Sequence, residues 1–112
     1  MANWTLQLAV SAEQDIADIL AWTAEQFSPQ QAEVYAKTLG LALEALFEGP
    51  DIVGAQTRDD IAPDIRVLHV ARKGRRGRHF IAFRPDKNHR INVLRILHDS
   101  MDLARHFEHD EQ

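Results

Sequence analysis

The chain has 112 residues, of which 27% are charged and 45% hydrophobic, and its formal net charge is −4. That length suits one domain with a modest core. With no cysteine, a disulfide framework and a thiolate metal site are excluded; no apolar run reaches the ~20 residues of a spanning helix, so a cytoplasmic protein is expected.

The opening MANWTLQLAV lacks the basic and apolar regions of a signal peptide and reads as a strand. Trp4, Leu6, Leu8 and Val10 alternate with Thr5, Gln7 and Ala9, the period of a strand with one buried face. Ser11 and Gln14 have the spacing of a capping box. Ile16, Ile19, Leu20, Thr23 and Phe27 then follow at helical spacing. Ser28-Pro29-Gln30-Gln31 is a second helix start, with proline at the first helical position. Ala32, Tyr35, Ala36, Leu39, Ala42, Leu43 and Leu46 form its apolar stripe, and Gly49-Pro50 ends it. Two helices joined at Phe27-Ser28 must fold back as an αα hairpin. Gly40 inside the second helix costs about 1 kcal/mol against alanine, which a close crossing by the first helix would explain.

Positions 51–64 form a connector, followed by three strand-like runs at 65–71, 78–84 and 90–98. The turn Lys73-Gly74-Arg75-Arg76-Gly77 has two glycines able to take positive φ. Pro85-Asp86-Lys87-Asn88 makes the next turn. Short turns between such runs predict an antiparallel meander. Met101, Leu103, Ala104 and Phe107 predict a last short helix over 101–107, and 108–112 is a polar tail. The order β-α-α-β-β-β-α predicts an α+β domain over 1–107. Its helical hairpin packs on one face of a mainly antiparallel four-stranded sheet. The other face is expected to stay open.

Charge is unevenly placed. Positions 66–95 hold ten basic residues against one acid, Asp86, a net +9 that leaves −13 for the rest of the chain. Such polarity attracts polyanions or an acidic partner. Arg72, Lys73, Arg75, Arg76 and Arg78 crowd one hairpin tip, which reads either as a contact prong or as a solvated turn. The six histidines fit no metal motif: there is no HExxH, and His106 and His109 lie in the tail. No metal and no cofactor are expected.

The ordered combination of SAEQDIADILAWTAEQF, RVLHVARKGRRGRHFIAFRP and INVLRILHDSMDLARHF resembles the RelE/ParE superfamily of toxins from type II toxin–antitoxin modules. It covers nearly the whole chain, and the ending is most like the ParE branch. The resemblance implies a partner antitoxin encoded beside the toxin, hence a toxin–antitoxin hetero-oligomer. It leaves the target open, because ParE-like members inhibit DNA gyrase and RelE-like members cut mRNA on the ribosome. For cleavage, His98 with Arg84 and Arg95 could supply proton transfer and fixed charge; RNase members similarly place a His or Tyr at the end of the last strand. This chain departs from them: its single tyrosine, Tyr35, lies on the helical hairpin, and Asp59-Asp60 stand where a lysine cluster would precede the sheet. A gyrase inhibitor that is not an enzyme is therefore the expectation, with the basic tip meeting the target. Trp22, Phe27 and Tyr35, more aromatic surface than one small core needs, are the expected antitoxin contacts. The other alternative, a generic nucleic-acid-binding domain, has only Phe80 or Phe83 for base stacking.

Overall fold

A computed structural model describes residues 4–102. In chain order the elements are β1 (Thr5–Leu8), α1 (Val10–Gln26), α2 (Pro29–Ala45), a 3-10 turn (Leu46–Glu48), β2 (Gln56–Thr57), β3 (Arg66–His69), β4 (His79–Pro85) and β5 (Arg90–His98). The expected α+β layout is present, with one strand more than the four predicted. The sheet has five strands in the order β1-β5-β4-β3-β2. β5, β4, β3 and β2 pair antiparallel, while β1 runs parallel to β5. β2 is a two-residue strand inside the connector, where the alternation that signals a strand has no room to show. Of the helix expected over 101–107, residues 103–107 lie outside the described residues, and Met101 and Asp102 are not helical.

Ser28 caps α2 as expected: its hydroxyl accepts the Gln31 amide at 3.0 Å, and Pro29 opens the first turn. At α1 the expected capping box is absent. Val10 already begins the helix, the cap residue is Ala9, and no side chain closes it. Hydrogen bonds to β5 set this start: Ala9 N–H donates to Val93 O at 2.9 Å and Thr5 N–H to His89 O at 3.0 Å. The close crossing expected at Gly40 is also absent, since an added Cβ there would meet nothing within 4 Å.

The helical hairpin covers one sheet face. Leu68, Val70, Ile81, Phe83, Ile91, Val93 and Ile96 pack there beneath Leu39, Ala42 and Leu46. The opposite face, expected to be open, carries a second small core. Ile61 and Ala62 of the connector, with Ile65 just before β3, fold over Val67, Ala82 and Leu97. The sheet is apolar on both sides here, so the connector had apolar surface to bury.

A β-bulge interrupts the β4–β5 ladder. Phe83 pairs with Val93 but Ala82 pairs with Arg95, which leaves Leu94 as the extra residue. Strict alternation would put His98 on the face opposite Ile91 and Val93. Beyond the bulge it is Ile96 that joins the helix-side core and Leu97 that joins the other one. His98 thereby turns to the helix side. The bulge sits where β1 has ended, and Asp15 of α1 takes over that edge. Its carboxylate accepts the Ile96 amide at 2.9 Å and binds the Arg95 guanidinium at 2.7 and 2.9 Å.

Candidate functional site

The hairpin, the β3–β4 turn and the end of β5 enclose an open groove of about 1100 Å³. One wall is apolar. Trp22 and Phe27 stand 56% and 68% exposed and meet edge to face at a centroid distance of 5.9 Å. Val34 and Ile19 continue this wall. Phe27 is not on the buried stripe the sequence suggested; it is the C-terminal cap of α1, where the chain turns sharply into α2.

The other wall is the basic turn, and its five cations fare differently. The Arg75 side chain lies across α2, donating to Thr38 Oγ1 at 2.9 Å and to Val34 O at 3.0 Å. Arg78 Nε donates to Asp99 at 3.0 Å. Arg72 reaches Val53 O at 3.3 Å. Lys73, with φ +51°, and Arg76 are exposed and have no partner among the described residues. Of the two turn glycines only Gly74 has positive φ. Gly77 serves close approach instead: a Cβ there would lie 2.5 Å from Val70 Cγ2 and 3.1 Å from the Tyr35 hydroxyl.

That approach assembles the groove's polar floor. The Tyr35 hydroxyl accepts the Arg78 amide at 3.0 Å and shares a hydrogen bond with His79 Nδ1 at 2.6 Å. Burial, reinforced by neighbouring His98, pushes the His79 pKa down to about 4, so the ring is neutral, and in the tautomer protonated on Nε2 its Nδ1 accepts from the hydroxyl. Burial likewise raises Tyr35. His98 pairs with His79 across the strands, its ring edge-on at 5.2 Å. Its Nδ1 accepts the Ser100 amide at 3.1 Å. Asp99 ties the floor together, accepting from His69 Nε2 at 2.9 Å as well as from Arg78. The His69 bond, then Arg78, holds its carboxyl below the usual range.

The remaining expected residues lie apart. Arg84 Nε donates to Pro63 O at 3.1 Å, on the connector side of the sheet. It is five residues from His79 along β4, about 17 Å at strand rise. Arg95 is held by Asp15, the two side chains only 17% and 14% exposed. His98, Arg84 and Arg95 therefore do not converge. Trp22, Phe27 and Tyr35 do, and they share the groove with Arg75, Arg76, Arg78 and His98. Sequence reasoning missed His79, whose pairing with Tyr35 depends on a 44-residue separation. Trp4, the other tryptophan, stacks on His89 at 4.5 Å and packs against the core, outside the groove. Among the described residues no helix is long and apolar enough to cross a membrane, and no group of three or more His, Asp or Glu is placed to hold a metal ion.

An open groove with apolar and cationic walls does not by itself define a reaction. Comparison with known proteins supplies the family. The chain is similar to Toxin ParE1 of Mycobacterium tuberculosis, 29% identical over 98 residues, covering 88% of this chain and 92% of that one. It is similar to Toxin ParE1 of Caulobacter vibrioides, 26% identical over 100 residues, covering 89% and 94%. Its fold matches a chain of the chromosomal ParDE TA system from P. aeruginosa with a TM-score of 0.69 at 19% identity, covering 88% of this chain and 98% of that one. It matches a chain of the RelBE2 toxin–antitoxin complex from Mycobacterium tuberculosis at 0.53 and 18% identity, covering 85% and 96%. Residues 6–103, nearly all that forms the two helices and the sheet, fit the family described as the ParE toxin of the type II toxin–antitoxin system parDE, and the chain belongs to that family.

Proposed function

We propose that the protein is a growth-inhibiting toxin that binds DNA gyrase in the cytoplasm and is held inactive by a cognate antitoxin in a hetero-oligomer. The matched folds from ParDE and RelBE2 systems support the antitoxin part. Trp22, Phe27 and Tyr35 are its contacts on this reading, since they line one groove and two of them are left open to solvent. Lys73 and Arg76 are the target contacts, because Arg72, Arg75 and Arg78 are engaged within the fold.

The observation that supports binding over cleavage is the scatter of His98, Arg84 and Arg95. Phosphodiester cleavage needs its acid, base and fixed charge within hydrogen-bond reach of one phosphate. An inhibitor needs only a complementary surface. One observation favours the nuclease reading: Tyr35, His79 and His98 meet in one place beside Arg78. Two assays decide between them. Purified gyrase supercoiling should be inhibited by the protein, while primer extension on mRNA from induced cells shows no new ends. Site-specific mRNA ends that vanish in His98→Ala or His79→Gln, with supercoiling untouched, would reverse the assignment.

A further inference from the structure

The groove's two chemistries sit on opposite walls, and the charges around it are not equivalent. Arg75 is anchored on α2 and Arg78 is compensated by Asp99. Arg76 alone among the groove's guanidiniums has no partner among the described residues. On the α1 side the rim carries Asp18, which repels a carboxylate placed there. An occupant with one apolar and one acidic group therefore has a single favourable orientation: apolar group against the exposed faces of Trp22 and Phe27, carboxylate toward Arg76. A guanidinium fork and a carboxylate match in geometry, and the pair strengthens as the groove is covered.

We propose that the antitoxin's neutralising segment carries a large apolar side chain together with a carboxylate that seats on Arg76. It thereby withdraws from the target the one groove guanidinium without a partner among the described residues, so antitoxin and target compete for the same residue. This rests on the toxin reading above and adds how the toxin is silenced. Arg76 is exposed and has no partner among the described residues, so replacing it leaves no cavity and no buried group unpaired, and the fold should survive.

The test uses the full-length chain and, as probe, the full-length protein encoded by the adjoining reading frame. Calorimetry should give an affinity about tenfold weaker for Arg76→Ala and at least 100-fold weaker for Arg76→Glu. Trp22→Ala should weaken it as well. Lys87→Ala removes a like charge on the β4–β5 turn, outside the groove, and should leave binding within twofold. Induced without the probe protein, Arg76→Glu should no longer arrest growth, whereas Lys87→Ala should. Thermal melts check that each variant folds. Unchanged probe affinity in Arg76→Glu, no binding to the wild-type chain, or growth arrest by Arg76→Glu would each overturn the competition. Failure of the wild-type chain to arrest growth is a different result: it removes the toxin reading, and the shared contact falls with it.

Discussion

At the scale of single residues, arginines of one short turn divide into roles that composition cannot separate. Arg75 and Arg76 are adjacent and chemically identical, yet one is stitched to α2 and the other has no partner among the described residues. Hydrogen bonds from a charged group contribute about 1.5–3 kcal/mol. Arg75→Ala should therefore lose about 2 kcal/mol of stability in denaturant unfolding, and Arg76→Ala should stay within about 0.5 kcal/mol. Equal losses would mean the Arg75 bonds contribute nothing. His79 gives a second residue-level expectation. Its folded pKa, about 4, lies below the ordinary 6.5. The unfolded chain then binds the extra proton first, so the stability due to neutral His79 is full above pH 6.5 and drains away as pH falls toward 4. The ring is part-exposed, so solvent screening reduces the effect below what the pKa difference alone implies. A melting temperature that declines from pH 6.5 to 4, with a flatter decline in His79→Gln, is the expected pattern. Parallel curves would remove His79 from the account.

At the scale of elements, most of the architecture is legible in the chain and the missing parts share a cause. Helix stripes, the Ser28 cap and the strand runs are local signals, read within a few residues. The groove aromatics were legible because Trp22, Phe27 and Tyr35 exceed what a small core needs. The bulge at Leu94 was not, because Val93, Leu94, Ile96 and Leu97 suit either face and nothing local says where the alternation slips. It depends on Asp15, eighty residues away, whose local context suggests only a charge near a helix start. The consequence reaches the site, since the bulge turns His98 toward His79. Asp15→Asn keeps the shape but leaves Arg95 with less compensation in a nearly buried setting. It should cost about 3 kcal/mol, and the cross-strand ring contact between His79 and His98 should weaken in nuclear Overhauser spectra. An intact ring contact at full stability would show that the ladder holds the bulge without Asp15.

At the scale of the whole molecule, the +9 stretch and the −13 remainder do not form two opposed poles. The fold interleaves them. Arg95 meets Asp15, Arg78 meets Asp99, Arg90 meets Asp86, and Arg66 lies 3.7 Å from Asp51. Arg72, Arg75 and Arg84 keep their charge but spend their donors on hydroxyl or carbonyl oxygens. Of the ten basic residues of the stretch, that leaves Lys73, Arg76 and Lys87 as exposed cations without a partner among the described residues, on two different turns. This distribution separates a protein-binding surface from a general nucleic-acid surface. Each phosphate neutralised steepens the salt dependence of duplex binding by about 0.9 in the logarithmic slope. Were all ten basic side chains of the stretch available, the slope would approach about −9; with three, it is about −3 at most. Weak binding of a labelled duplex, falling with a slope no steeper than about −3 between 50 and 200 mM salt, is therefore expected in fluorescence anisotropy. A slope of about −6 or steeper would mean that the ion pairs open on contact with DNA, and the generic nucleic-acid-binding domain would regain its place.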